Sequence, residues 1–512
     1  MPDPDDFLSR IGLPNATART AVAGVSLVIG VALVFLDRAR EVLFAARDAV
    51  ISGADVLFVV AANVCLFVLA VVAVHPVGKL RLGADDERPE FGTGSWLAML
   101  FSAGLASGIL YWATAEPILH AASNPFLGAS PAPDAAARLG LRITMFHWGL
   151  HGWGFYVLAA LAIAIPVHRG GASLRFREIL GTAGRGFTTA GWPGASLDLL
   201  AIFGTVCGVA TSIGLSASSM NATLAGLFGA AGDAPLDVRV QVGIIVAVTL
   251  LGIASALSGV ARGIRWLSSV NAWVSLGLMG AFLVLGPTGE VVRLIGASFV
   301  DYVVSVPALG LFVGESESAR RWQADWTLFY WAWWLAWTPF VSLFIVRISR
   351  GRTIRELVVG VTLAPTAVTL VWMGLFGGTA LLQDRAASGA IARAVETDYA
   401  LGLVALIEQL ASGALATALV AVTCFLLFTW LITSLDSATL VLCELMGTAG
   451  TPAAKVFWGV AVATVAVILL GVGGLTALQA ASIVIGLPLA LVQLAAAGTL
   501  LVALFRGRLD AG

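Results

Sequence analysis

Charge is what this sequence has least of. Asp, Glu, Lys and Arg make up 12% of its 512 residues, about half of the roughly 25% found in soluble globular proteins. With 59% of its residues hydrophobic, the chain cannot cover a water-facing surface, which excludes a soluble globular protein. Cysteine is also rare. Cys65, Cys207, Cys424 and Cys443 all fall in apolar stretches with no metal-type pairing, so they read as small core hydrophobes and say nothing of redox compartment. No polar stretch is long enough for a soluble domain; the longest gaps between apolar runs are about 75–91, 116–141, 167–195, 287–325 and 382–410. The net charge of −1 names no nucleic-acid or acidic partner. Residues 1–20 are acidic and then mixed, unlike a basic n-region, so no cleavable signal peptide is expected.

Long apolar runs are there in abundance. Runs of 18 or more residues read as spanning helices, and about twelve are present, centred near 21–36, 54–74, 95–115, 143–166, 196–217, 238–258, 266–286, 326–347, 358–381, 411–434, 456–472 and 480–505. The expected fold is an all-α polytopic membrane protein with twelve transmembrane helices. With the N-terminus inside, 18 of the 29 Lys and Arg residues fall on inner loops and tails, which predicts that both termini are cytoplasmic. The Ala-, Gly-, Val- and Leu-rich texture, with no sorting signal, points to a bacterial cytoplasmic membrane. Residues 289–305 mix charge with helix-spaced apolar residues and predict an interfacial amphipathic helix. The expected organisation is a tail with two extra spans (1–90), five helices (91–288), the amphipathic connector (289–325), five more helices (326–505) and a short tail (506–512).

Two spans carry interruptions. In the third, Gly92, Gly94, Gly104 and Gly108 flank Ser102, Ala106 and Ser107, and Glu116-Pro117 is expected to end it. In the eighth, Pro339 is expected to break the helix. Interruptions at matching places in two halves point to a transporter's midplane site. The third and eighth spans are five apart, as two five-helix repeats after two extra spans require. Glycine also permits close helix packing, so no single one decides.

Aromatic residues carry the sharpest chemical signal. Six of the 16 Trp lie between Trp322 and Trp337. At about 100° per residue, Trp333, Trp337, Phe340 and Phe344 form one stripe of a helix with Trp334 beside it. Trp322 and Trp326 suit an interfacial aromatic belt; the deeper ones suit a receptor for a quaternary ammonium group, held by cation–π attraction. Trp148, Trp153 and Tyr156 give the fourth span an aromatic face that can close such a box. His147 and His151 have the i, i+4 spacing of a metal-binding helix but no intervening Glu and no evident third ligand. Thr433-Ser434-Leu435-Asp436-Ser437 supplies paired hydroxyls suited to a small hard cation, or to ordinary back-bonding within the helix. Asp436 is a functional candidate as an ionisable residue at a span's edge, or an N-cap of the next helix. The basic loop from Arg347 to Glu356 is accounted for by topology.

These residues together resemble the betaine/choline/carnitine transporter family. The resemblance rests on Ser95-Trp96-Leu97-Ala98-Met99-Leu100-Phe101 with Glu116-Pro117, on His147-Trp148-Gly149-Leu150-His151, and on the block Trp326 to Trp334. It rests also on Arg347 to Glu356 and Thr433 to Ser437, and covers essentially residues 15–505. It implies a LeuT-like fold of two inverted five-helix repeats, a homotrimer, and an aromatic box for trimethylammonium substrates. Carried over by position, Trp148, Trp153, Tyr156, Trp333, Trp334 and Trp337 would line the box and its approach, with Ala106 and Asp436 as further substrate contacts. A coupling sodium would sit at main-chain oxygens of Ser102, Leu105 and Trp430 and the hydroxyls of Thr433 and Ser434. A second, weaker sodium site matches Thr205 and Phe340, since the hydroxyl often found one turn after that Thr is Val209 here. Where betaine carriers of the family tend to show Gly-Met-Gly-Ile-Gly, this chain has Gly104-Leu105-Ala106-Ser107-Gly108, so the substrate class is not narrowed to betaine.

The expected activity is sodium-driven import of a small quaternary-ammonium or related zwitterionic solute, with no cofactor other than sodium and no catalytic residues. A sodium-independent exchanger of the carnitine/butyrobetaine kind is the alternative, and a membrane-embedded enzyme a remote one. With only Arg506 and Arg508 beyond the last span, no charged sensor arm is expected, and transport should not need osmotic activation.

Overall fold

The computed structural model describes residues 7–104, 108–183, 191–229, 236–258, 261–448 and 451–507. Every element of four or more residues among them is helical. α1 (Ala16–Val34) opens under an Asn15 side chain that accepts from the Ala18 N–H, and α2 (Leu36–Val74) follows after one residue. α3 (Thr93–Gly104) and α4 (Gly108–Ala122) flank residues 105–107. α5 (Pro133–Trp148) and α6 (Leu150–His168) are separated by Gly149 alone. α7 (Trp192–Leu227), α8 (Val238–Ser258), α9 (Ala261–Leu285) and α10 (Thr288–Gly310) come next. α11 (Glu317–Gln323) runs through a π-helical turn, Ala324–Leu328, into α12 (Phe329–Ile348). α13 (Ile354–Ala386) begins with a capping box of Thr353 and Glu356. Two short helices, α14 (Ala390–Thr397) and α15 (Gly402–Leu410), precede α16 (Gly413–Leu445) and α17 (Pro452–Phe505).

Among the described residues eleven helical stretches are long and apolar enough to cross a membrane. Three differences from the expected twelve account for the number. The third expected span is divided between α3 and α4, each under 18 residues. The last two expected spans run together as α17, whose 54 residues bend at Gly474, in the left-handed region at φ 58°. The amphipathic connector, expected at 289–305, is the 23-residue α10 and passes the length test. Its buried stripe of Val291, Ser298, Tyr302 and Leu309 has helical spacing and faces α5 and α13, while Phe299, Val300, Val303 and Val304 are exposed.

Some expected breaks are absent and others appear. Pro339 lies inside a continuous α12, and Pro117 inside a continuous α4. Neighbouring helices and Ser/Thr hydroxyls re-satisfy backbone groups beside an intramembrane proline, and the Thr338 hydroxyl donates to the Trp334 carbonyl here (3.0 Å). The irregular turn of the eighth span is instead at 324–328, ahead of the Trp cluster. The fourth span begins earlier than expected, at Pro133, and breaks at Gly149.

α17 packs along α2 and α7, and α12 lies against α6, α7 and α17. α12 thus stands at the centre of the bundle, its residues from Phe329 to Ala336 all buried. At one end the basic loop clasps the segment after α2. The Leu82 N–H donates to the Arg352 carbonyl and the Ile354 N–H to the Leu80 carbonyl. Arg352 is buried with its guanidinium 4.1 Å from the Trp96 ring centroid, and donates to the Phe91 carbonyl. The hydrogen bond from Arg350 holds the Glu87 carboxyl below the usual carboxylate range. This loop therefore fastens α3 and the α2–α3 segment to α12 and α13, beyond any role in topology.

Candidate functional site

The site is built where two helix ends meet a third helix. Gly149 leaves the helical region, with φ −96° and ψ −140°, so α5 stops and α6 restarts. A break inside a membrane exposes backbone donors and acceptors that no water can satisfy. Side chains do so here. The Leu150 N–H donates to the Tyr302 hydroxyl of α10 (2.9 Å), and the Trp334 indole N–H donates to the His147 carbonyl (3.1 Å). The break thereby fixes the rotamer of Trp334.

Around it four rings converge. Trp148 meets Trp334 edge-on with centroids 6.0 Å apart, Trp153 stands 5.8 Å and Tyr156 5.1 Å from the same ring. Trp153 and Tyr156 are perpendicular to one another at 5.6 Å. Trp333 adds a wall, edge-on to Trp148 at 5.9 Å and stacked on Phe329 at 5.8 Å. All five are buried. Gly152 is what lets Trp334 in, because a Cβ there would overlap the indole ring. The rings pack edge-to-face and tilted against one another, and the faces of such rings attract a cation that cannot donate hydrogen bonds.

Behind the cage lies a carboxylate. Glu116 of α4 is fully buried. Its Oε2 accepts from the Trp148 indole N–H (2.8 Å) and the Tyr330 hydroxyl (2.6 Å), and its Oε1 meets His147 Nδ1 at 2.6 Å. Such charge-assisted bonds are stronger than neutral ones. Glu116 thus orients the Trp148 ring and ties α4 to α5 and α12. His120, one turn along α4, places Nε2 3.3 Å from Glu116 Oε1.

Trp337 does not join the cage. Its indole N–H donates to Ser212 of α7 (3.1 Å) and its ring meets Phe340 edge-on at 5.3 Å. Both line a cavity of about 610 Å³ together with Trp430, Thr433 and Ser434. A second cavity, of about 500 Å³, opens beside Tyr111, Trp326 and Tyr399. Trp326 and Arg347 border different cavities and are some twenty helical residues apart, about 30 Å, so the two open toward opposite ends of α12. Trp333 and Trp334 lie between them along the helix.

Of the residues expected to hold sodium or touch substrate, Leu105, Ala106 and the side chain of Ser102 lie outside the described residues. The Thr433 hydroxyl donates to carbonyls of its own helix, Thr429 and Trp430, both at 3.0 Å. The Trp430 ring packs on Trp372, with centroids 6.0 Å apart. Thr205 is buried and donates to the Ala201 carbonyl (2.8 Å). Asp436 stands elsewhere than expected. α16 does not end at 433–437 but continues to Leu445, so Asp436 is mid-helix rather than an N-cap. It is buried against α8, where the Ser255 hydroxyl reaches its Oδ2 at 3.4 Å.

Sequence reasoning did not single out Tyr330 or His120 as parts of this site. Tyr330 sits in the Trp block, one helical turn from Trp333 and Trp334. The spacing Glu116-x-x-x-His120 would have put two polar groups on one face of a membrane helix.

A buried aromatic cage between apolar helices, with a cavity toward either end, is the arrangement of a membrane transporter. Comparison with known proteins agrees. Residues 17–508 match the family described as BCCT, betaine/carnitine/choline family transporter. The glycine betaine transporter OpuD of Bacillus subtilis is 39% identical over 440 residues, covering 84% of this chain and 82% of that protein. Glycine betaine transporter 1 of Vibrio parahaemolyticus is 36% identical over 491 residues, covering 94% and 91%. An ectoine/hydroxyectoine transporter of Virgibacillus pantothenticus is 35% identical over 450 residues, covering 85% and 86%. The chain belongs to the betaine/carnitine/choline transporter family: it is a multi-pass membrane transporter, not an enzyme.

Proposed function

We propose that this protein carries a small quaternary-ammonium or related zwitterionic solute into a bacterial cell, driven by the sodium gradient. The observation that carries the reading is the cage of Trp148, Trp153, Tyr156 and Trp334. A trimethylammonium head presents only C–H groups around a delocalised positive charge. Burying it against water costs its hydration, which π-faces offset and neutral hydrogen-bonding groups do not. Relatives named for glycine betaine and for ectoine support a methylated or cyclic zwitterion of that size.

The cavities toward either end of α12 support alternating access around the cage. The twelve-span, LeuT-like arrangement of two inverted five-helix repeats belongs to the same proposal, as do cytoplasmic termini and a homotrimer. For sodium, the hydroxyls of Thr433 and Ser434 are the side-chain donors we assign. Both line the larger cavity with Trp430, and oxygen donors suit a hard monovalent ion. Thr205 and Phe340 form the weaker second site in this reading.

Uptake of radiolabelled glycine betaine, choline, carnitine, ectoine and a sulfonium solute into proteoliposomes, with and without an inward sodium gradient, tests it. At least one quaternary-ammonium or related zwitterionic solute should accumulate only with sodium. Because coupling is reciprocal, the Thr433→Ala, Ser434→Ala double variant should lose the stimulation of substrate binding by sodium. Sodium-independent exchange of preloaded solute would make the protein an exchanger, and accumulation of none of these solutes would refute the substrate class.

A further inference from the structure

We propose that Glu116, His120 and His147 form a binding site for a divalent transition-metal ion of the zinc class, directly behind the aromatic cage and distinct from the sodium residues. One donor atom from each of the three lies within 4.8 Å of the other two, and His120 Nε2 and His147 Nδ1 are the atoms that approach Glu116 Oε1. In a tetrahedral zinc site with ligand bonds of about 2.0–2.1 Å, donors stand about 3.3 Å apart. His120 Nε2 is already 3.3 Å from Glu116 Oε1; His147 Nδ1 would draw back from its 2.6 Å contact, and the two imidazoles would settle at the same spacing from one another.

His120 is the second, independent sign. It is fully buried, its Nε2 stands 3.3 Å from Glu116 Oε1, and its Nδ1 makes no hydrogen bond among the described residues. A buried imidazole whose nearest polar neighbour is a carboxylate near the limit of hydrogen-bond distance is under-satisfied, which costs free energy and calls for an explanation. A metal ion supplies one. The ring is held in place by Trp326 and Trp322, with centroids 4.4 and 5.5 Å away, on the irregular turn and on α11.

The groups around two of the three donors match what metal ligands need, since ligating histidines and carboxylates are oriented by hydrogen bonds at their other atoms. At 2.6 Å from the Glu116 carboxylate, His147 Nδ1 carries the proton it donates there; a bound ion would take that proton's place, with Nε2–H donating to the Thr327 hydroxyl 3.0 Å away. Glu116 Oε2 is held by Trp148 and Tyr330, which leaves Oε1. Two imidazoles and one carboxylate suit zinc, cobalt(II) or copper(II) better than sodium or magnesium, which prefer oxygen alone. Because the donors join α4 to α5, and Trp148 follows His147 directly, a bound ion would clamp one wall of the cage. The expected effect on transport is a lower maximal rate.

The test uses the tag-free, chelator-stripped chain in detergent, titrated with zinc by calorimetry. One ion per chain should bind at sub-millimolar zinc. His120→Gln should weaken binding at least about tenfold. His151→Gln, which alters another buried histidine against Phe146 and Trp331, should leave zinc affinity unchanged. Absence of zinc binding by the wild type, equal affinity in His120→Gln, or equal loss in His151→Gln would each overturn the site. If His120→Gln does not fold, cobalt(II) on the wild-type chain decides. A visible band of tetrahedral cobalt with nitrogen and oxygen ligands, displaced by zinc, supports the site, and the spectrum of hydrated cobalt alone refutes it. Binding is read without transport, so failure here leaves the solute and sodium reading standing.

Discussion

Trp334 does two jobs, and they can be separated. Its ring is the one the other three cage rings surround, and its indole N–H closes the carbonyl left open by the α5–α6 break. Trp334→Leu removes both. A desolvated cation–π contact is worth about 2 kcal/mol or more, so substrate affinity should fall at least tenfold. The orphaned His147 carbonyl should also cost about 1–3 kcal/mol of stability. Trp334→Phe keeps a π-face and loses only the N–H, so it should share the stability loss and retain more of the affinity. Equilibrium binding of labelled substrate and thermal unfolding in detergent read the two effects. Unchanged affinity in a well-folded Leu variant would remove Trp334 from the cage. At this scale the sequence was informative about which residues bear π-faces and poorer about which helix each one meets. Spacing put Trp337 on the stripe of Trp333, and both indole N–H groups do donate to one helix, to the Gly208 carbonyl and the Ser212 hydroxyl, but nothing in the spacing says that this helix is α7. Asp436 is a functional candidate because it is ionisable, but its burial against α8 is not legible in the sequence. Glu116 was visible, but its partners His147, Trp148 and Tyr330 come from helices whose approach no local pattern encodes.

Helices and breaks follow the same division. Apolar length located nearly every long helix, because burial in lipid demands it whatever the neighbours do. Breaks depend on those neighbours. Pro339 reads as a helix breaker but is accommodated, while Gly149 breaks a helix because Tyr302 and Trp334 stand ready to satisfy the freed groups. The adjacent Gly152 tests this packing. In Gly152→Ala the new methyl group meets the Trp334 ring, and overpacking of this kind costs about 1–3 kcal/mol. α6 and α12 must part, so the variant should unfold at lower temperature and bind substrate more weakly, as read by the same two measurements. A Gly152→Ala protein with wild-type stability and affinity would mean that these helices are not held at contact distance.

For the molecule as a whole, the small residues of α17 and α7 bring long apolar helices into close contact around α12, as membrane bundles without a hydrophobic driving force require. The central helix then carries Trp333 and Trp334 to a point between the two cavities, neither of which they line. That arrangement makes sense if the cargo's positive charge is recognised by π-faces and not by carboxylates. The most direct check compares equilibrium binding of the quaternary-ammonium or zwitterionic solute that the protein takes up with binding of its uncharged carbon isostere, in which a quaternary carbon replaces the nitrogen. Shape and apolar area are then nearly equal, and only the charge differs. Loss of about 2 kcal/mol or more predicts that the isostere binds at least tenfold more weakly to the wild-type protein, with the gap shrinking in Trp334→Leu. Equal binding of the two by the wild type would contradict a cation-binding aromatic cage.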